Sequence, residues 1–300
     1  MISIIIPTRN RAESLRKVAT TYYRQQYVDE VIIVDDCGDD ETEHLAAEFR
    51  ESFPDIQTLY VRHPVRRGAA AARISGYTIA NNEFILFGED DAWLDDNYTS
   101  ILIEKLRDDP TLAIVSGRII YLRPGEDPAQ ARIRFGNGLR DEPYLNSYHM
   151  SFNKDCRFIG DIEVPFTHAL FLTRKNILQH YKYDPFYDKG NGFREETDYQ
   201  LNVFTSGLRL KVTCNTYCYH MHREDIPTGG QRITRLGQLY WNIFYTSYMY
   251  DKYFEKLRHI FGIRYSKNTA KIIFASHQFY NLFLSPFFKL PRFIVDKLSK

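Results

Sequence analysis

Three carboxylates in a row, Glu89-Asp90-Asp91, follow directly on the apolar run Phe84-Ile85-Leu86-Phe87-Gly88. A run this short and apolar reads as a buried central strand, so the acids stand where the strand leaves the sheet. Open α/β sheets bind ligands at that edge. Adjacent like charges repel one another unless a cation or donor hydrogens offset them, and hard carboxylate oxygens are the ligands that Mg²⁺ and Mn²⁺ prefer. An isolated acidic pair is more often a helix cap or a solvated turn. Other features of the chain favour a divalent-metal site instead.

Pro7-Thr8-Arg9-Asn10-Arg11 ends the first apolar run, and Val34-Asp35-Asp36-Cys37-Gly38 ends the second. A carboxylate so placed can accept from an imide N–H or a ribose hydroxyl, which suits Asp36 to a nucleotide base. Arg66-Arg67-Gly68-Ala69-Ala70-Ala71-Ala72-Arg73 sets a glycine turn before a helix of small residues. Small side chains permit close approach, and guanidinium forks match phosphate oxygens. In Gly190-Asn191-Gly192-Phe193-Arg194-Glu195-Glu196-Thr197-Asp198, glycines lead into a helix whose first turn holds three acids. The helix dipole favours acids there and accounts for part of this pattern. In Tyr219-His220-Met221-His222 the two imidazoles share one strand face, where both could meet one ion. Trp93 could stack on a sugar and His168 could line an acceptor pocket, although core packing is the commoner role for either.

These residues need a frame. The 300 residues, 44% hydrophobic and 15% aromatic, can build a substantial core. Over the first 120 residues short apolar runs alternate with helical patterns, the signature of βαβ units and a mostly parallel sheet flanked by helices. Strands are expected near 2–6, 30–34, 56–61, 84–87 and 112–117, and helices over 12–25, 41–51, 69–80 and 97–107. Residues 123–165, rich in Pro and Gly, form a long excursion of the kind that serves as a lid or loop. A strand at 167–172, a helix at 174–181, the acidic helix from Arg194 and a strand at 208–212 follow.

Taken together, the motifs resemble the inverting family 2 glycosyltransferases of the GT-A fold. The resemblance rests on Ile4-Ile5-Ile6-Pro7-Thr8-Arg9-Asn10, Val31-Ile32-Ile33-Val34-Asp35-Asp36, Gly68 through Arg73, Glu89-Asp90-Asp91 as the DXD-type motif, and Glu195-Glu196-Thr197-Asp198 as the acidic motif. It covers roughly residues 1–222. It implies transfer of a sugar, with inversion, from a nucleotide-diphospho-sugar donor, a UDP-sugar first among them, to an acceptor hydroxyl. It implies a divalent cofactor, Mn²⁺ or Mg²⁺, on Asp91 and Glu89, completed by His220 or His222, with Asp90 toward the ribose or metal. Asp36 would hold the base ring with Thr8 and Arg9 beside it, and Arg67 and Arg73 would steady the diphosphate. Glu196 would be the general base, with Glu195 and Asp198 as its nearest alternatives.

The resemblance divides the chain into a catalytic domain, 1–230, with a nucleotide-binding half about 1–120 and an acceptor half about 121–230, and a helical extension, 231–300. The extension carries 12 Lys/Arg against 3 Asp/Glu, whereas the remainder carries 27 against 35. Leu236, Leu239, Tyr240, Ile243, Phe244, Tyr250, Tyr253, Phe254, Leu257, Ile260 and Phe261 recur at helical spacing, and residues 272–288 form an aromatic-rich run short for a span. The expected partners are a glycan or lipid-linked acceptor, an anionic membrane surface met by 231–300, and a second copy as homodimer, but no nucleic acid. With no export leader evident after Met1 and four scattered cysteines read as reduced, the expected location is the cytoplasm, at the inner face of the membrane. A sugar-1-phosphate nucleotidyltransferase would share the base pocket and acids, but it would show a Gly-rich loop after the first strand, which Thr8-Arg9-Asn10-Arg11 lacks. A non-catalytic sugar-binding protein of the same fold is the other alternative.

Overall fold

Ile2, Ile4 and Ile6 enter one apolar core and Ile5 the core on the opposite side of the sheet, and all four are fully buried. Successive side chains of a strand alternate in direction, so a strand of continuous isoleucine is stable only when both faces are covered. The computed structural model describes residues 1–136, 138–140, 142–229 and 233–285. Its first half is β1 (Ile2–Thr8), α1 (Ala12–Tyr23), β2 (Val28–Asp35), α2 (Thr42–Ser52), β3 (Gln57–Arg62), α3 (Ala69–Ile79), β4 (Phe84–Phe87), β5 (Ala92–Leu94), α4 (Tyr98–Asp108) and β6 (Leu112–Tyr121). The excursion that follows is not structureless: it holds α5 (Pro128–Phe135), the hairpin of β7 (Leu145–Asn146) and β8 (Ser151–Phe152), and β9 (Asp161–Glu163). The signal for α5 was local, since Asp127 and Gln130 form a capping box around Pro128.

The chain continues through β10 (Phe171–Arg174), α6 (Lys175–His180), α7 (Glu195–Thr205), β11 (Arg209–His220), α8 (Arg235–Phe261) and α9 (Lys267–Phe279). Among the described residues the main sheet runs β3-β2-β1-β4-β10-β6-β11-β5, with β9 also paired to β11. Strands β1 to β4 are mutually parallel, β10 runs antiparallel to both neighbours, and β6 and β11 are parallel. The strand expected at 167–172 begins later, at Phe171, because Thr167 and His168 bond to Gln200 and Gly117 rather than to a ladder. The strand expected at 208–212 runs on to His220 through a register shift between Thr213 and Tyr217. That extension carries His220 up to the acids of β4.

Helix α8 starts at a Thr234 cap and ends at Gly262 with φ 63°, in the left-handed conformation that suits glycine. Its apolar stripe is split. Tyr250, Tyr253, Phe254 and Leu257 are buried in a third core with Met150, Phe166, Leu201 and Phe274, while Leu236 (70%) and Tyr240 (59%) stay exposed. The run 272–288 opens inside α9, with Ile272 exposed and Phe274 buried, and residues 286–288 lie outside the described residues. Among the described residues no helix is long and apolar enough to cross a membrane.

Candidate active site

Strands β1, β2 and β4 end along one edge of the sheet, and the chain leaves each through a polar turn. Above that edge lies a cavity of about 610 Å³. Thr8, Arg9 and Arg11 line it from β1, Asp36 from β2, and Glu89, Asp90 and Asp91 from β4. Gly68, Ala69 and Arg73 close one side at the start of α3. Asn191 and Phe193 line it just before α7, and Arg223, Ile226 and Gly229 line it after β11.

A single guanidinium holds the acid cluster. Arg11 Nη1 donates to Asp90 Oδ1 at 2.9 Å and to Asp91 Oδ2 at 2.7 Å. The other oxygen of Asp91 lies 3.5 Å from His220 Nε2. His220 donates from Nδ1 to the Met221 carbonyl at 2.9 Å, which turns Nε2 toward the carboxylate. Backbone contacts fix the turn: the Tyr22 hydroxyl donates to the Glu89 carbonyl at 2.9 Å, and Met221 N–H to the Asp91 carbonyl at 2.8 Å. Ligand atoms of Glu89, Asp91 and His220 all lie within 4.8 Å of one another.

The electrostatics of this cluster suit a cation. Burial, reinforced by Asp91 and opposed by His220, pushes the Glu89 carboxyl up to about 7. Burial likewise pushes Asp90 up to about 6 although Arg11 pulls it down. Burial alone would lower the His220 imidazole, but Asp91 and Glu89 outweigh it and hold the pKa above its ordinary value. Two carboxylates and an imidazole, with Asp91 buried and Glu89 and His220 half-buried, are a donor set that Mn²⁺ or Mg²⁺ fits.

The remaining residues singled out in the sequence divide into those that face the cavity and those that brace it. The Asp36 carboxylate faces it, but accepts from the N–H groups of Arg67 and Gly68, both at 2.7 Å, and pairs with His63 Nδ1 at 2.9 Å. Gly68 takes φ 90°, which an L side chain rarely adopts. Arg67 therefore reaches Asp36 through its backbone, while its exposed side chain points elsewhere and Arg66 lines the cavity. Arg73, on the cavity wall, forms an ion pair with Glu195, and both are buried. Glu196 is half-buried, its carboxylate 3.4 Å from the Thr197 hydroxyl and close enough to Glu89 to add to that group's rise. Asp198 is only 2% exposed and accepts from Lys252 at 2.6 Å, away from the cavity. His222 caps a short turn by accepting from Glu224 N–H at 3.2 Å and does not join Glu89 and Asp91.

Two side chains weighed for sugar contacts lie elsewhere. Trp93 donates to the Lys17 carbonyl at 3.1 Å beside a separate shallow pocket. His168 is buried, with Nε2 against the Gly117 carbonyl at 3.1 Å and Nδ1 accepting from Leu170 N–H at 3.2 Å. The pairing of Arg11 with the acids does not follow from the sequence pattern. Its signal in the sequence was only that three carboxylates at a strand end need a nearby cation, and Arg11 follows the end of an adjacent apolar run.

The model of the family described as "Glycosyl transferase family 2" matches residues 3–181. The chain belongs to glycosyl transferase family 2. Its fold is the GT-A fold of the solved glycosyltransferases it resembles. The pre-mycofactocin glycosyltransferase of Mycobacterium tuberculosis (strain ATCC 25618 / H37Rv) is 32% identical over 127 residues, 42% of this chain. The chain covers only 25% of that relative's length. The mannosyltransferase PcManGT from Pyrobaculum calidifontis, solved with GDP-Man and Mn²⁺, has a TM-score of 0.56 at 18% identity over 97% of this chain and 72% of its own. GalNAc-T7, solved with UDP, GalNAc and Mn²⁺, reaches a TM-score of 0.60 at 14% identity over 74% of this chain and 43% of its own. The family 2 match ends before α7, so the acidic turn and the C-terminal helices lie beyond it.

Proposed function

We propose that the protein transfers a sugar, with inversion, from a nucleotide-diphospho-sugar, a UDP-sugar first, to an acceptor hydroxyl. The observation that carries this reading is the convergence of Glu89, Asp91 and His220 on one cavity wall, with the half-buried Glu196 close by. Glu89, Asp91 and His220 would hold a divalent metal, which supplies positive charge against the departing diphosphate. The guanidinium groups of Arg9, Arg66 and Arg223, which line the cavity, add donors for phosphate oxygens. Glu196 takes the acceptor hydroxyl proton as the acceptor oxygen bonds to the anomeric carbon and the bond from that carbon to the phosphate oxygen breaks. A single displacement of this kind inverts the anomeric centre. Asp36, through Arg67 and Gly68, shapes the loop against which the base would lie.

A thermal-shift panel of UDP-, GDP- and dTDP-sugars with and without Mn²⁺ tests the donor, because a ligand that binds only the folded state raises apparent stability by mass action. One nucleotide class should stabilise the protein, and only when Mn²⁺ is present. No shift from any donor would overturn the reading, and product NMR showing a retained anomeric centre would overturn the single displacement.

Residues 1–230 are read as the catalytic unit and 231–300 as an extension that meets an anionic membrane at the cytoplasmic face, where a glycan or lipid-linked acceptor is presented. Leu236, Tyr240 and Ile272 stand exposed on α8 and α9 among basic residues, which supports this. The full chain should pellet with anionic but not neutral vesicles, and high salt should release it. A concentration-dependent dimer without vesicle binding would instead assign that surface to a second copy.

A further inference from the structure

The segment that leads into α7 has an unusual backbone. Gly190, Gly192 and Arg194 all take positive φ, at 61°, 55° and 70°. The two glycines take this conformation freely, but Arg194, which carries a side chain, does so at a cost that surrounding contacts must offset. Helix α8 supplies them. Asn191 Nδ2 donates to Asn242 Oδ1 at 3.0 Å, Arg194 Nε to Thr246 Oγ1 at 3.0 Å, and the Tyr245 hydroxyl to the Lys189 carbonyl. Gly190 lies so near Trp241 that a Cβ there would be 2.3 Å from the indole.

The strongest of these ties is ionic. Lys252 Nζ donates to Asp198 Oδ2 at 2.6 Å and to Asp184 Oδ2 at 2.9 Å, spanning the two ends of the segment. Tyr253 donates to the same oxygen of Asp198 at 3.3 Å, and Tyr187 to its other oxygen at 3.2 Å. Asp198 sits two residues beyond Glu196 in the same first turn of α7. A buried carboxylate that loses its cation must find water or another partner, and a turn that moves to reach one carries its neighbours with it.

We propose that Lys252 is a positioning residue for the reaction: through Asp198 and Asp184 it fixes the first turn of α7 and so holds the Glu196 carboxylate near Glu89. The inference rests on the reading of Glu196 as general base. On this view α8 is part of the active-site scaffold. Lys252→Met keeps the apolar stem and removes the charge.

Turnover is read as donor hydrolysis, in which water takes the sugar and nucleoside diphosphate is released, with Mn²⁺ and the UDP- or GDP-sugar that stabilises the protein most. Misaiming a reacting group costs up to about a hundredfold, so Lys252→Met should lower kcat by about 10- to 100-fold. KM for the donor should stay within about twofold, since donor contacts are untouched, and Lys252→Arg should restore most of the rate. Amide exchange of residues 190–198 should quicken in Lys252→Met while β1 and β4 exchange as before. Should Lys252→Met fail to fold, Tyr253→Phe, which removes one hydroxyl, should show the same pattern more weakly. Unchanged kcat, equal losses in kcat and donor affinity, or unchanged exchange of 190–198 would each overturn the proposal. Failure of the wider reading looks different: Glu196→Gln with full turnover would overturn the base assignment whatever Lys252 does. If the wild-type protein releases no nucleotide from any sugar, the exchange measurement alone decides whether Lys252 holds the turn.

Discussion

Asp91 accepts from Arg11 with one oxygen and faces His220 with the other, while its backbone carbonyl is fixed by Met221. A carboxylate so constrained is ready to bind a metal without rearranging, which is why its loss should be felt in binding before chemistry. Asp91→Ala should abolish the Mn²⁺-dependent part of nucleotide binding in a calorimetric titration. Glu196→Gln should instead lower kcat by about 10² to 10⁴ and leave that binding nearly intact, because a general base contributes only as the proton moves. A different residue contributes to acid stability. His168 is buried and neutral, and burial lowers its pKa from the ordinary 6.5 to about 3. Between those values the unfolded chain binds the proton and the folded chain does not, so stability rises with pH and is lost as pH falls from 6.5 toward 3. The slope from this one group approaches about 1.4 kcal/mol per pH unit. His168→Asn keeps a donor for the Gly117 carbonyl but cannot be protonated, so urea unfolding between pH 6 and 4, taken as roughly the steep part of that window, should show a shallower slope than wild type.

At the scale of elements, the site depends on how closely helices approach the sheet. Helix α3 lies against β1 at Gly76, where a Cβ would stand 2.3 Å from Ile5 Cγ2. Gly76→Ala would gain about 1 kcal/mol of helix propensity and would lose about 1–3 kcal/mol to overpacking. A net fall in the urea midpoint with unchanged slope is expected. A rise would mean that α3 can move away from β1 at little cost. The same closeness matters for the site, since α3 begins at the Gly68 turn held by Asp36 and carries Arg73 to its pair with Glu195. Strand β11 shows a related economy of placement: its antiparallel pairing with β5 through Cys218, Tyr219 and His220 brings the imidazole beside the turn after β4.

Across the whole molecule, the third core joins the two parts of the chain. Met150, Phe166 and Leu201 pack with Tyr250, Phe254, Leu257 and Phe274, so ending the chain near residue 230 would bare the first group to water. Such a truncation should unfold at markedly lower temperature, with weakened near-ultraviolet dichroism, and a sharp wild-type-like transition would show that the C-terminal helices are dispensable. Much of this organisation was legible in the amino-acid order. The runs Ile4-Ile5-Ile6 in β1 and Val31-Ile32-Ile33-Val34 in β2 announce a sheet covered on both faces, and the abrupt change to Asp, Glu and Arg after the strands marks the ligand edge, because these patterns are local and set by burial and strand geometry. Sequence spacing does not say which distant groups meet. Arg11 between Asp90 and Asp91, His220 rather than His222 beside Asp91, Arg73 paired with Glu195, and Lys252 bound to Asp198 are all separated by tens of residues or more. Their partners were chosen by strand order, register and helix packing, which depend on the whole chain having closed on itself.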